Sequence, residues 1–354
     1  MIILKQVISE RRENMDYSEV MKMAKEKCTL CHVCPHCNGF ACAGEIPGVG
    51  GKGSGSSFQR NCIKLKEIVL KMDTIVKDQP IDCTTSFFGK KVSLPIYVAP
   101  IAGIKGNFGA ELSDLDYTRA MMEGTKAIET IAFSGDGKHI EMFLEPLSIV
   151  DEYNNGICTI KPWVKEGLLP RMEAANASNA IAIACDIDSA GLPLLKDSEI
   201  PVEFKSKEKL SEMISLSNKP FIVKGILSVE GARKAYEAGA DGIVISNHGG
   251  RVLDDCVSSI EVLEEIADMY RDKMMILVDG GFRSGADVFK ALAIGAHGVL
   301  IGRPATISII GNASEGIQMY LNKIKNELKD AMAMCGCHTL DDISKKNIYK
   351  QGGY

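Results

Sequence analysis

The chain has 354 residues, of which 45% are hydrophobic and 25% charged, and its formal net charge is −5 at pH 7. This is the composition of a globular protein that is long enough for two or three domains, or for one α/β barrel with an appendage. The slightly acidic balance disfavours a nucleic-acid partner, because nucleic-acid-binding proteins usually carry a basic stripe.

Membrane and secretory segments are also disfavoured. No apolar run in the sequence approaches the roughly 18–20 residues that are needed to cross a bilayer. The first 20 residues contain one short apolar patch and no cleavage-site pattern, so they do not resemble a secretory signal. We therefore expect a cytoplasmic protein with no membrane span.

Residues 1–91 show no regular repeat and are predicted to form a helical, cysteine-rich cap segment. Their apolar spacing predicts helices over Tyr17–Lys27 and near 58–69. The glycine-rich loop 48–57 lies between these helices. Fragments of G-x-G-x-x-G occur in it, but no strand precedes the loop, which argues against a dinucleotide site. A mobile cap or lid hinge is the preferred interpretation.

Five of the 12 cysteines are crowded into one segment of this cap: Cys28, Cys31, Cys34, Cys37 and Cys42. A disulfide framework is not expected, because cytosolic thiols are kept reduced. Sulfurs at this spacing can converge on one centre, so the first four are candidate ligands of zinc or of an iron–sulfur cluster. The last gap of the four differs from that of the bacterial ferredoxin run. Reduced thiols that pack a cap or a flexible loop are the alternative.

From residue 92 onward, short apolar runs alternate with stretches of helical spacing. Such runs indicate parallel strands that are covered on both faces. The candidate strands are 95–99, 127–132, 156–160, 180–185, 220–224, 242–246, 274–278 and 298–301, and the clearest helix patterns are 229–238, 259–270 and 286–294. Eight strand–helix units predict a (β/α)8 TIM barrel over residues 92–354, and an open doubly wound sheet is the alternative.

Charged residues follow the predicted strands, where the loops of a barrel form its active site. Asp188 follows the fourth strand, Lys224 ends the fifth, and His248 and Arg251 follow the sixth. A neutral imidazole can take a proton near pH 7, and a guanidinium can bind a carboxylate through two parallel hydrogen bonds. Lys224 would stabilise developing negative charge or form a Schiff base, and Asp188 would orient the imidazole. A single histidine after a strand is often a plain loop residue, but the concentration of these groups on one rim favours a catalytic site.

The loops after the last two strands predict a phosphate site. Gly281 and Arg283 follow the seventh strand, and Gly302 and Arg303 follow the eighth. Glycines let backbone N–H groups approach an anion, helix N-termini favour negative charge, and arginines supply forked donors. In this fold the same two loops commonly bind phosphate.

Several strings carry a resemblance to a known family: VKGI at 223–226, SNHGGRVLD at 246–254, DGGFRSGADVFKALAIGA at 279–296, GVLIGRP at 298–304 and the tail 332–343. They resemble the FMN-dependent α-hydroxy-acid oxidase and dehydrogenase family, to which glycolate oxidase and lactate oxidase belong. Before residue 220 the resemblance is fainter, with VAPIAG at 98–103 as its main string. The resemblance implies a barrel that holds FMN, a homo-oligomer (tetramer or larger), and oxidation of a small L-2-hydroxy acid to the 2-oxo acid.

The resemblance also implies roles for individual residues. His248 would take the substrate hydroxyl proton as a hydride moves to flavin N5, Arg251 would bind the substrate carboxylate, and Asp188 would support the imidazolium. Lys224 would stabilise the reduced flavin near N1. The other cofactor contacts would come from Pro100, Ile101, Ala102, Ser134, Lys161, Ser246, Asp279, Gly281, Arg283, Gly302 and Arg303.

Departures from the family pattern leave the chemistry open. The family usually supplies tyrosine hydroxyls to the substrate, but here the third strand runs into Lys161 and Trp163, and the cysteines replace the N-terminal tyrosine motif. Only 35 residues separate Asp188 from Lys224, so the lid between them is short. Two alternatives stay open: flavin chemistry without net redox, as in type 2 isopentenyl-diphosphate isomerase, and a metal- or redox-sensing flavoprotein. No motif identifies the electron acceptor.

Overall fold

The computed structural model of the protein describes residues 16–351. The prediction that the chain lacks a secretory signal therefore concerns a segment that lies largely outside the described residues. Within residues 16–351, no helix combines the length and the apolar character that a membrane crossing requires.

Strands and helices alternate along most of the chain. The strands are β1 (Ile68–Leu70), β2 (Thr85–Phe87), β3 (Lys90–Val92), β4 (Ile96–Val98), β5 (Phe133–Ser134), β6 (Ile157–Ile160), β7 (Ile183–Asp186), β8 (Phe221–Ile226), β9 (Gly242–Ile245), β10 (Met275–Val278), β11 (Gly298–Ile301) and β12 (Ile348–Lys350). The α-helices are α1 (Tyr17–Lys27), α2 (Ser56–Lys66), α3 (Ile104–Phe108), α4 (Asp114–Ala127), α5 (Glu141–Tyr153), α6 (Lys165–Ala177), α7 (Lys207–Ser215), α8 (Val229–Glu237), α9 (Ser259–Tyr270), α10 (Gly285–Ile294) and α11 (Arg303–Met334). Short 3₁₀ turns lie at Ile187–Gly191, Pro193–Leu195, His248–Gly250, Leu340–Asp342 and Lys345–Asn347.

Strands β4 to β11 form one parallel barrel. Their order in the sheet is β4-β11-β10-β9-β8-β7-β6-β5, and a parallel bridge between Val98 and Ala132 joins its two edges. Each strand except the last is followed by a helix that returns the chain to the start of the next strand, and α11 follows the last one. The predicted (β/α)8 architecture is therefore confirmed over the open doubly wound sheet.

The interior of the barrel is an apolar core that is closed at one end. All four residues of β7, of β9 and of β11 are buried, as continuous apolar runs require. The hairpin β2–β3 covers the end at which the strands begin, and the Phe87 ring packs against the rings of Tyr97 and Phe133 with centroids 4.8 and 6.3 Å apart. The open end of the barrel is therefore the one at which the strands finish.

Three strands lie further along the chain than their patterns predict, and one of them is β8, which ends at Ile226, two residues past its expected end. The second barrel strand was expected at 127–132, but α4 extends to Ala127 and Glu129 adopts a left-handed conformation with φ of 55°. The apolar residues of 128–132 therefore belong to the turn that enters the barrel, and β5 begins at Phe133. The fourth strand likewise continues to Asp186, one residue past its expected end.

The region before the barrel is only partly helical. Helix α1 has the expected bounds, and α2 begins two residues earlier than expected and ends at Lys66. The region also contains β1, which pairs with the C-terminal strand β12, and the hairpin β2–β3. The division of the chain into a cap (1–91) and a barrel (92–354) stays a prediction.

Candidate active site

A cavity of about 460 Å³ lies at the carboxyl ends of the barrel strands. Its volume is within the range that is typical of sites for cofactors and small ligands. Most of the residues that the sequence predicts for the site line this one cavity: Pro100, Ile101, Ala102, Lys161, Lys224, His248, Arg251, Asp279, Gly281, Arg283, Gly302 and Arg303. They come from loops far apart in sequence, and the closed barrel brings them together.

A buried ion-pair network forms one wall of the cavity. Lys224 Nζ lies 2.9 Å from Asp186 Oδ1 and 3.6 Å from Asp279 Oδ2. Lys161 Nζ lies 3.2 Å from the other oxygen of Asp186. Burial opposes the charged form of Lys224, but Asp186 and Asp279 raise its pKa overall. Lys224 is therefore a fixed cation, and the Schiff-base role, which needs a neutral amine, is disfavoured.

Asp186 stays ionised although it is buried. Burial alone would raise its pKa, but His248, Lys224 and Lys161 lower the pKa overall. This residue was not among those predicted from the sequence. It could have been found by the feature that identified Lys224, because it too is a charged residue at the end of an otherwise apolar strand.

His248 is held in an unusual backbone conformation beside these carboxylates. Its φ is +54°, in the left-handed region, which costs on the order of 1–3 kcal/mol for a residue with a side chain. Its N–H donates to Ser246 Oγ at 3.0 Å, and its Nδ1 lies 3.0 Å from Asp188 Oδ1 and 3.6 Å from Asp186 Oδ1. Because a carboxylate only accepts hydrogen bonds, Nδ1 carries a proton. Within residues 16–351 no hydrogen-bonding group pairs with Nε2.

The same three side chains could be taken for a metal site. Ligand atoms of Asp186, Asp188 and His248 lie within 4.8 Å of one another. However, Lys224 and Lys161 already pair with the two oxygens of Asp186, and their charges offset those of the carboxylates. We therefore interpret the group as an ion-pair network that orients His248.

Arg251 is a half-buried cation without a carboxylate partner among the described residues. Its Nη1 donates to the carbonyl of Gly48 at 2.5 Å and its Nη2 to Asn107 Oδ1 at 2.9 Å. Burial, with the nearby charge of Arg303, lowers the pKa of Arg251. Both effects disfavour the charged form, so an anionic ligand in the cavity would be stabilised beside it.

Arg283 and Arg303 are also paired only with neutral groups in the described part of the chain. Arg303 Nε donates to the Val49 carbonyl at 2.6 Å and Nη2 to the Gly249 carbonyl at 3.0 Å. Arg283 Nε donates to the Cys37 carbonyl at 2.8 Å. Two half-buried guanidinium groups without a counter-ion suit a doubly charged phosphate.

The glycines at this end of the cavity are required by close contacts. Gly281 has a φ of 87°, and a Cβ atom there would lie 2.6 Å from the carbonyl oxygen of Asn61. At Gly249, a Cβ atom would lie 2.5 Å from Arg303 Nη1. Larger residues would displace the loops that hold the arginines in place.

Two polar atoms on the cavity wall lack a partner within the described residues. Asp279 Oδ1 and Thr159 Oγ1 are buried and make no hydrogen bond, and both residues line the cavity. Buried polar groups are nearly always satisfied, so these two atoms point to a polar ligand. These features together fit FMN. A carboxylate oxygen can accept hydrogen bonds from its sugar hydroxyls, the arginines can bind its phosphate, and the apolar rim at 100–102 can contact its ring.

Three predicted site residues do not line the cavity. Ser134 is buried behind the wall, where its Oγ lies 3.5 Å from the Ile157 carbonyl, and Gly135 takes its place on the wall. Its assignment as a direct flavin contact stays a prediction. Ser246 and Asp188 contact His248 instead of the cavity, so they act through that residue. The sequence also gave no signal for the rim residues Val49 and Asn107.

The glycine-rich loop 48–57 lies at the site and is fixed there. The Lys52 N–H donates to the Gly250 carbonyl at 2.8 Å, and the Ser54 N–H donates to Asp254 Oδ2 at 2.6 Å. The loop therefore binds the same segment that carries His248 and Arg251.

The four cysteines predicted as metal ligands do not converge as the ligands of a single ion. A tetrahedral zinc site brings thiolates to about 4 Å from one another. Within residues 16–351, no group of three or more cysteines has ligand atoms within 4.8 Å of one another. Instead, Cys42 joins Cys31, Cys34 and Cys37 around a second, small cavity, and Cys28 does not line it. The predicted set stays a prediction: Cys42, which it omits, lies on this cavity, and Cys28, which it includes, hydrogen-bonds to the Cys31 thiol.

Comparison with known proteins identifies the family. The model of the FMN-dependent dehydrogenase family matches residues 49–191 and 198–350. The chain belongs to the FMN-dependent dehydrogenase family. It is an FMN-dependent oxidoreductase, as the strings at 223–304 imply. The match begins after the cysteine segment.

Individual relatives agree with this assignment. Peroxisomal (S)-2-hydroxyacid oxidase GLO4 of Arabidopsis thaliana is 30% identical over 326 residues, which cover 84% of this chain and 90% of that protein. Its relative GLO3 is 48% identical, but over only 134 residues, 38% of this chain and 37% of that protein. A crystal structure described as a lactate oxidase of Pediococcus acidilactici has a TM-score of 0.78 at 23% identity and covers 95% of this chain and 94% of its own. This last likeness shows the shared fold.

Proposed function

We propose that this family member oxidises a small L-2-hydroxy acid, of the lactate or glycolate type, to the 2-oxo acid. One observation carries the proposal: His248 and Arg251 line the same cavity, one with an available ring nitrogen and the other with an uncompensated charge. A 2-hydroxy acid has a hydroxyl and a carboxylate on adjacent carbons, which match this pair. The family assignment and the relatives named as 2-hydroxyacid oxidases support the same substrate class.

The proposed FMN site uses the rest of the cavity. Arg283 and Arg303 would bind the phosphate, together with backbone amides near 281 and 302, and Asp279 would accept hydrogen bonds from the ribityl chain. The wall at 100–102 would contact the ring. When bound, FMN supplies the acceptor for the substrate hydride. Lys224, which is a fixed cation, would stabilise the negative charge that this transfer places on the ring.

His248 would carry out the proton transfer. Its Nε2 would take the proton of the substrate hydroxyl, and the contact of 3.0 Å between Nδ1 and Asp188 would stabilise the imidazolium that results. Asp186, 3.6 Å from the same nitrogen, would add to this stabilisation. General-base catalysis of this kind contributes roughly 10²–10⁴ to a rate.

The charge pattern disfavours the isomerase alternative. A diphosphate group needs several unpaired cations around its phosphates. Beside His248, Lys161 and Lys224 are both paired with Asp186, which leaves Arg251, a match for one carboxylate. A cytoplasmic location and a homo-oligomer (tetramer or larger) stay predictions.

The test is product formation from a panel of 2-hydroxy acids. The FMN-loaded protein would be given L- and D-lactate, glycolate and L-mandelate with an artificial electron-accepting dye, and the 2-oxo acid would be measured as its hydrazone. We expect product from L-lactate or glycolate, and none from D-lactate. FMN-loaded protein that yields no 2-oxo acid from any acid of the panel would overturn the proposal.

A further inference from the structure

The segment from Cys28 to Cys42 has no hydrophobic core of its own. It contains no helix or strand, and its two largest apolar side chains, Leu30 and Phe40, are 43% and 59% exposed. Most of its buried or half-buried residues are cysteines, and all of these are free thiols. A segment that buries so little apolar surface gains stability when a cross-link or a metal is bound.

Four of the five cysteines of this segment surround one cavity. Cys31, Cys34, Cys37 and Cys42 line it, while Cys28 does not. Their ligand atoms are spread too widely for a single ion. A cluster of several metal atoms can bind thiolates that lie further apart, because each thiolate binds a different metal atom.

We propose that Cys31, Cys34, Cys37 and Cys42 bind a [4Fe–4S] cluster. The spacing between the first three, with two residues in each gap, is also that of the first three ligands in bacterial ferredoxin runs. In those runs the fourth cysteine of the string binds a different cluster, so the fourth ligand is not tied to one spacing. Here the structure assigns that position to Cys42.

The surroundings of the cavity suit an anionic cluster. Four thiolates give a [4Fe–4S] centre a net negative charge. Arg283 Nη2 lies 3.6 Å from Cys37 Sγ, and Arg303 forms part of the cavity wall. The two cations would offset the charge of the cluster, and the N–H···S contact would tune its reduction potential.

The position of this site also suggests a path for electrons. Val49 and Arg303 line both the cysteine cavity and the large barrel cavity, so a single layer of residues separates the two. This part of the inference rests on the proposed function. Oxidation of a 2-hydroxy acid releases two electrons and two protons. The electrons would leave the flavin one at a time through the cluster, each reducing its core from the 2+ to the 1+ state, to a one-electron carrier protein of the iron–sulfur or haem class. The protons, from the hydroxyl group and the Cα atom, would pass to water.

The experiment measures iron and acid-labile sulfide in the full chain after anaerobic purification, with electron paramagnetic resonance after reduction by dithionite. We expect about four iron and four sulfide per chain and the signal of a reduced [4Fe–4S] centre. Cys34→Ser and Cys42→Ser should lose most of the iron. Cys28→Ser is the matched control from the same segment, and it should keep its iron.

The cluster and the catalytic proposal fail in distinguishable ways. Protein without stoichiometric iron, even after anaerobic reconstitution with ferrous iron and sulfide, would overturn the cluster, and so would zinc in its place. Equal loss of iron from Cys28→Ser and Cys42→Ser would overturn the ligand assignment. If the serine variants do not fold, the iron and sulfide content of the unaltered protein decides. Reduction of the flavin by L-lactate is measured separately. L-lactate can therefore reduce the flavin in protein that holds no cluster, and a cluster can be present in protein whose flavin L-lactate does not reduce.

Discussion

The open end of the barrel and the cysteine segment place their chemical groups by different means. In the barrel, pairing between β7 and β8 sets Asp186 opposite Lys224, so the hydrogen-bond register of the strands itself creates the central ion pair. In the cysteine segment no strand or helix fixes any side chain. Where strand pairing sets the placement of side chains, that placement can be predicted from their positions in the sequence. Where a bound group would set it, only the residue types can be read from the sequence.

The largest expected effect is at His248. His248→Gln keeps a polar side chain but removes the base, so flavin reduction by the substrate should slow by roughly 10²–10⁴. FMN content should be unchanged, because the phosphate arginines are untouched. Stopped-flow absorbance under anaerobic conditions gives the rate. His297→Gln, at the opposite end of the barrel, is the control, and an equal loss of rate there would contradict the assignment.

The phosphate site comes next. Arg303→Ala removes a half-buried cation that donates to the carbonyls of Val49 and Gly249, and loss of a charged hydrogen bond costs about 1.5–3 kcal/mol. The dissociation constant of FMN should therefore rise roughly 10- to 150-fold, as measured by fluorescence titration of the apoprotein. Arg271→Ala, outside the cavity, should leave FMN affinity as it is. Unchanged affinity in Arg303→Ala would place the phosphate elsewhere.

Arg251→Lys tests the substrate carboxylate. A lysine keeps the charge but loses the forked donors, and it cannot bond to Gly48 and Asn107 at the same time as the substrate. We expect KM for L-lactate to rise about tenfold or more with a smaller change in kcat. A fall in kcat with KM unchanged would instead show that Arg251 acts on the chemical step.

The sequence predicted the barrel and most of its site for a physical reason. Continuous apolar strands can be recognised in the sequence, and the residue that follows each strand has a fixed place on the rim. The differences lie where this rule was not what placed a residue. Ser134 was assigned as a flavin contact from the family resemblance and lies off the cavity, and Asp186, which ends β7, was passed over in favour of Asp188. The contribution of loop 48–57 to the site could not be predicted, because it depends on contacts distant in sequence.

The smallest expected effect concerns that loop. Hydrogen bonds from the Ser54 N–H and from hydroxyl groups lower the pKa of Asp254 to about 2, below the unfolded value of about 3.9. The ionised carboxylate thus stabilises the folded loop above about pH 4, and this contribution is lost as the pH falls toward 2. Asp254→Asn should lower Tm slightly at pH 7 and flatten its decline between pH 4 and 2. In thermal melts, Asp255→Asn is the control, and equal behaviour of the two variants would contradict the role of Asp254.

The most direct test of the proposed active site is the absorbance spectrum of the purified protein under anaerobic conditions, before and after addition of L-lactate or glycolate. We expect the flavin bands of the unaltered protein to bleach when the hydroxy acid is added, and those of His248→Gln to bleach far more slowly. Flavin bands that persist with every 2-hydroxy acid would contradict the proposal that His248 and Arg251 form a hydroxy-acid site.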